Sequence, residues 1–80
     1  MKKVCIIYNT EKEIAKELYQ ESVKYFQKRN IEILDNNRGK EADFAVVIGG
    51  DGTLLRAFKQ FIFKENFYVI AINAGSLGFL

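Results

Sequence analysis

Three short, unbroken apolar runs set the terms for how this chain can fold. Val4, Cys5, Ile6, Ile7 and Tyr8 form the first; Phe44, Ala45, Val46, Val47 and Ile48 the second; Phe67, Tyr68, Val69, Ile70, Ala71 and Ile72 the third. A run of this length without polar alternation suits a strand covered on both faces, as in a parallel sheet. The stretches between them carry helical periodicity. Thr10 with Glu13 three residues later has the form of a capping box, and Ile14, Leu18, Ser22 and Phe26 recur at four-residue spacing beside Ala15, Tyr19 and Val23. Glu11, Glu13, Glu17 and Glu21 precede Lys24, Lys28 and Arg29, the order that complements a helix dipole. Asn30 suits a left-handed stop, after which Ile31, Ile33 and Leu34 read as a shorter strand.

The stretch 35–43 is polar and turn-rich, and its Arg38 and Lys40 read as solvated loop charges rather than phosphate contacts. It is short for a parallel crossover, which usually takes a dozen or more residues, so the strand order around it stays open. After the second apolar run the chain enters Gly49-Gly50-Asp51-Gly52-Thr53 and then a helix, with Leu54, Leu55, Phe58, Phe61 and Ile62 expected on one face. Lys64, Glu65 and Asn66 turn it into the last run. This alternation implies an α/β fold: a mostly parallel, Rossmann-like sheet with flanking helices and with ligand loops at the carboxyl ends of its strands. Three loops converge there, beginning at Asn9, at Gly49 and at Asn73.

Composition narrows the chemistry. Eighty residues make one small domain, which buries only about 60% of the surface its unfolded chain exposes. A hydrophobic share of 49% with 28% charged residues excludes disordered, collagenous and low-complexity classes. The chain has no histidine and one cysteine, which removes imidazole metal sites, histidine triads, internal disulfides and thiolate zinc clusters, and no metal-ligating set is expected. A net charge of +2 argues for neither a nucleic-acid nor a membrane-surface partner, leaving small molecules. The apolar run after Lys2 and Lys3 is shorter than the roughly 7 to 15 residues of a signal peptide core, so a cytoplasmic protein with Cys5 reduced is expected. Leu77, Phe79 and Leu80 are apolar groups with no later element to cover them, which suggests a chain cut from a longer protein.

A strand that enters a glycine-rich turn and leaves as a helix presents unpaired backbone N–H groups, here expected at Gly52, Thr53 and Leu54, together with the positive end of the helix dipole. Phosphate is the natural guest. The P-loop pattern is absent, and Gly50-x-Gly52-x-x-Leu55 lacks the third glycine of the dinucleotide fingerprint. Asp51 is the informative residue, because a carboxylate among phosphate-binding groups repels them unless it holds a hydroxyl or a divalent metal. Its other reading is a helix cap, worth about 1 kcal/mol.

Gly49-Gly50-Asp51-Gly52-Thr53-Leu54-Leu55-Arg56-Ala57, with Asn73-x-Gly75-x-Leu77-Gly78-Phe79-Leu80, resembles the two N-terminal signatures of the NAD kinase family. Diacylglycerol and sphingosine kinases share the GGDGT core but usually continue with an asparagine-glutamate pair where Leu55 and Arg56 stand, and phosphofructokinases typically have serine at Thr53. The resemblance covers essentially the whole chain, residues 1–80, as the front part of the α/β nucleotide-binding domain of a two-domain kinase. It implies transfer of a phosphoryl group from ATP, or in some members polyphosphate, to the 2′-hydroxyl of the adenosine ribose of NAD, with a divalent metal such as magnesium, in a protein that is commonly a homo-oligomer. It implies Asp51 as the general base. Gly50, Gly52, Thr53, Leu55, Arg56, Asn73 and Phe79 are implied as nucleotide contacts, with Phe79 beside the adenine. The family's later asparagine-glutamate motif and second glycine-rich segment, both in a β-rich C-terminal domain, are missing, so these eighty residues alone are expected to be inactive. A helix N-terminus favours the ionised carboxylate and weakens it as a base, which favours Asp51 orienting the ribose hydroxyl and accepting its proton late. The competing reading from another class is a noncatalytic nucleotide-binding or receiver-like regulatory module. A receiver would want an acidic pair after the first strand, where Asn9 and Thr10 stand.

Overall fold

The computed structural model of the chain describes residues 2–62 and 64–74. Four strands, β1 (Lys3–Tyr8), β2 (Glu32–Leu34), β3 (Phe44–Gly49) and β4 (Tyr68–Asn73), form one sheet in the order β2-β1-β3-β4, and every pairing is parallel. Helix α1 (Glu13–Lys28) joins β1 to β2, and helix α2 (Asp51–Phe61) joins β3 to β4. The apolar runs therefore became the strands, and the α/β reading holds. The order that the sequence left open is settled by a short 3₁₀ segment, Asn36–Glu41, which carries the chain from β2 past β1 to β3.

Register explains the layering. Val4, Phe44 and Tyr68 lie level across the sheet, as do Ile6, Val46 and Ile70, and side chains of one parity share a face. The even-numbered face packs Val4, Ile6, Phe44, Val46 and Ile48 under Ala15 and Phe26 of α1. The opposite face packs Cys5 and Ala45, with Leu34 of β2 level with Cys5, under Phe61 of α2 and Ala42 of the connection. All six residues of β3 are buried because helices cover both of its sides. Ile48, Val4 and Val47 are among the largest fully enclosed side chains, each contributing about 1.5–3 kcal/mol of transfer free energy. Stability is therefore concentrated in β1 and β3, the two strands whose carboxyl ends carry the glycine turn and its neighbour loop.

Three local expectations needed revision. The Thr10–Glu13 capping box does not form: Lys12 occupies the N-cap position with no side-chain cap. Asn9 displaces it, its Oδ1 accepting from the Glu11 N–H at 3.0 Å and its carbonyl from the Lys12 N–H at 3.2 Å, so the chain completes a turn before the helix starts. The inward face of α2 is Thr53, Ala57 and Phe61, while Leu55, Phe58 and Ile62 are 57%, 56% and 67% exposed. Small side chains at 53 and 57 let the start of the helix settle against β3, and Phe61 buries its ring further along the same face. At the sheet margin, Tyr68 and Ile70 of β4 are exposed among the described residues. Asn30 does take the left-handed conformation, with φ 57°.

Cys5 is enclosed in β1, and burial, with the Asp35 charge second, pushes its thiol up, away from thiolate reactivity. Among the described residues no helix is long and apolar enough to cross a membrane.

Candidate functional site

Backbone pairing brings the carboxyl ends of three strands to one level. The Asn9 N–H donates to the Ile48 carbonyl and the Ala74 N–H to the Gly49 carbonyl, both at 3.0 Å, while Gly49 stands level with Asn73. From that rim α2 rises directly, because Gly50 adopts extended backbone as N-cap and Asp51 is already the first helical residue. Helix geometry leaves the N–H groups of Asp51, Gly52 and Thr53 without intrahelical acceptors. Leu54, expected among them, instead donates its N–H to the Gly50 carbonyl at 3.1 Å. The donor set thus lies one residue earlier than the sequence suggested.

The three glycines of the turn have different reasons to be glycine. A Cβ on Gly49 would lie 2.6 Å from Thr53 Oγ1 and 2.8 Å from Thr53 Cβ, so the close seating of α2 on β3 requires it. A Cβ on Gly50 or Gly52 would meet no described atom within 4 Å. Neither has the positive φ that would demand glycine. Among the described residues, the fold does not require glycine at either position.

Gly50, not Asp51, holds the cap position, and the Asp51 carboxylate is exposed with no hydrogen-bond partner among the described residues. The capping reading left open by the sequence is therefore removed. Asp51 borders a cavity of about 230 Å³ at the ends of β3 and β4, lined also by Val47, Gly49, Gly50, Leu54, Ala71, Ile72 and Asn73. The structure thus brings Gly50, Asp51 and Asn73 together. Gly52 lies one residue along the helix from them, and the Thr53 side chain is 3% exposed and faces the sheet, so its backbone N–H is what it presents to the rim. Leu55 points to solvent, and Leu54 takes the lining place expected of it. Phe79 lies outside the described residues.

Arg56 borders a separate compartment of about 470 Å³ on the other flank of α2, formed with Ile7, Tyr8, Asn9, Thr10, Glu11, Ala57 and Gln60. The lining residues Val47, Ala71 and Ile72 were read only as strand core, and Gln60 was not singled out. The available signal was the parity of the strands, which places 47, 71 and 73 on the α2 face. Among the described residues no three His, Cys, Asp or Glu side chains come together.

Comparison with known proteins agrees with this geometry. Residues 10–80 match the family model of the ATP-NAD kinase N-terminal domain. Over 81 residues the chain is 49% identical to an NAD kinase of Fusobacterium nucleatum, an alignment covering 100% of this chain and 30% of the relative. An NAD kinase of Caldicellulosiruptor saccharolyticus is 36% identical, with 96% of this chain and 31% of the relative covered. One of Petrotoga mobilis is also 36% identical, with 98% and 31% covered. The chain spans about a third of the length of these curated relatives. The match of residues 10–80 to this family model, with a 49% identical relative aligned over the whole chain, places the chain in the NAD kinase family, as an N-terminal part.

Proposed function

We propose that these residues form the nucleotide-binding front of an enzyme that phosphorylates the 2′-hydroxyl of the adenosine ribose of NAD, with ATP or polyphosphate as donor. Residues 1–80, the front part of an α/β nucleotide-binding domain, supply one wall of the site. A β-rich C-terminal domain supplies the other, so the eighty residues alone are inactive. In this reading the protein is cytoplasmic, acts on small-molecule nucleotides rather than nucleic acid, and is a homo-oligomer at full length.

The observation that carries the reading is Asp51: a carboxylate at the first position of α2, unused by the fold among the described residues and bordering a cavity with Gly50 and Asn73. The ribose hydroxyl donates a hydrogen bond to that carboxylate. As the bond from the 2′-oxygen to the donor's terminal phosphorus forms and the bridging P–O bond to that phosphorus breaks, the hydroxyl proton passes to Asp51 and ADP, or the shortened polyphosphate, departs with the bond electrons on its oxygen. The backbone N–H groups at 51–53 add fixed positive potential where charge is shared over the phosphoryl oxygens. Gly50 and Gly52 allow the nucleotide to approach the backbone, Asn73 and Phe79 hold the nucleoside, and Leu55 and Arg56 complete the nucleotide contacts. A divalent metal such as magnesium would be held largely by the donor phosphates, as is usual for that ion.

Asp51→Asn in the full-length enzyme tests this. Asparagine keeps the size and removes the charge and the proton acceptor. Turnover should fall by roughly 100-fold to 10,000-fold, with the NAD dissociation constant changing far less. A variant that keeps most of its turnover eliminates the chemical role.

A further inference from the structure

Helix α2 has two unlike flanks. Leu54, Phe58 and Ile62 recur at four-residue spacing with Leu55 beside them, so they stack along one side of the helix, whereas Arg56, Lys59 and Gln60 occupy the other. The neighbouring cavities orient the two. Arg56 and Gln60 border the compartment at β1, and Leu54 borders the cavity at β4, so the apolar flank leans toward the open edge of the sheet. Among the described residues no element covers it, and Phe58 and Ile62 stand exposed. Ala71 of β4 is exposed on the same side of the sheet, on a strand that pairs with β3 alone among the described residues. A single exposed apolar side chain is ordinary, but a contiguous apolar strip beside an uncovered parallel strand marks a contact surface.

We infer that this strip docks an amphipathic helix from the part of the full-length protein outside these eighty residues. Topology selects the occupant. The step from β1 to β2 runs through α1 on one face, and the step from β3 to β4, in the opposite direction along the sheet, runs through α2 on the other, so the two crossovers share one hand. A further step outward past β4 with that hand brings the next helix onto the α2 face, against Leu54, Phe58 and Ile62. Four-residue spacing is itself a ridge that packs into the groove of another helix. The docking stripe of that helix is apolar, because none of these three side chains can pair a charge. Length supplies the chain, since the matched span is only 30% and 31% of two curated relatives. Leu54 heads the strip and also lines the Asp51 cavity, so the docked helix is a neighbour of that site.

The test is made on the full-length protein and needs no variant for its first arm. Hydroxyl-radical oxidation of Phe58 is followed by mass spectrometry in the native and the urea-unfolded protein. Residues 1–80 by themselves leave Phe58 56% exposed, so an uncovered ring oxidises at close to its unfolded rate, whereas a docked helix should slow it several-fold. Equal rates overturn the inference. The second arm compares Phe58→Ala and Phe58→Asp with the parent by thermal denaturation and light scattering. Phe58→Ala should lower the midpoint by about 5 °C or more, as removal of a covered ring does in a protein of this size, with the number of subunits unchanged. A midpoint within about 2 °C of the parent, the ordinary result for a surface substitution, overturns the inference. So does a Phe58→Asp protein that keeps its midpoint but falls apart into smaller assemblies, because the cover is then a second copy. A parent that forms no NADP yet protects Phe58 refutes the kinase reading and retains the docking surface.

Discussion

The connection 35–43 and the turn 49–53 both carry glycine and charge beside a buried strand, yet the fold employs their residues unequally. In the connection, Arg38 donates to Glu41 at 3.1 and 3.2 Å and lies 3.7 Å from Glu32. Gly39 is buried so close to α2 that a Cβ would sit 3.0 Å from Gln60 Nε2 and 3.1 Å from a Phe61 ring carbon. In the turn, only Gly49 is employed that way, against Thr53. Gly50, Asp51 and Gly52 have no comparable partner among the described residues. A residue whose identity the fold explains is poor ground for a functional claim, and one it leaves unexplained is better ground. Arg38 and Arg56 show the same difference: the first is satisfied by carboxylates, and the second has no ion pair among the described residues.

This comparison breaks most visibly at Gly49. Gly49→Ala places a methyl group inside contact distance of Thr53, and because the obstacle is a buried side chain anchored near the helix start, backbone must move. A stability loss of about 1–3 kcal/mol is expected, read as a lowered denaturation midpoint. An unchanged midpoint would mean that Gly49, too, is spared by the fold. The smallest effect belongs to the connection. The Arg38 hydrogen bond, then its charge, holds the exposed Glu41 carboxyl below its ordinary range. A depressed carboxylate stabilises the folded state above its unfolded value of about 4.3, and that contribution is lost as pH falls through the folded value. Exposed pairs of this kind are worth little. The thermal midpoints of the parent and Glu41→Gln should therefore differ slightly at neutral pH and converge as pH falls into the acid range. A gap that widens on acidification would contradict the assignment.

Much of this division was legible before any coordinates. Unbroken apolar runs at 4–8 and 44–48 gave the central strands, because burial on both faces erases polar alternation. The glycine-aspartate turn stood out because no helix or strand propensity explains it. The strand order was hidden, since a 3₁₀ segment of six residues can carry a crossover that usually takes a helix. The α2 face was misjudged because Thr53 and Ala57 are inconspicuous beside Leu55 and Phe58, although close packing on β3 favours the smaller pair. The false capping box came from a local competition that Asn9 wins through its own side chain. Arg56 carries the right charge in the sequence, but its separation from the Asp51 cavity depends on which flank of α2 it occupies, a tertiary fact.

Gly52→Ala in the full-length enzyme tests the central claim most directly, because it separates folding from ligand use at one atom. Alanine in the first turn of α2 meets no described atom within 4 Å and has the better helix propensity, by about 1 kcal/mol in a helix interior and less near the end. Denaturation and NAD-dependent NADP formation are measured on the same preparation. The expected result is a midpoint unchanged or raised together with kcat/KM lowered about 10-fold or more, since the added methyl group stands where the nucleotide must approach the backbone. A lowered midpoint with activity retained would show that Gly52 serves the fold and that the turn is not the nucleotide site.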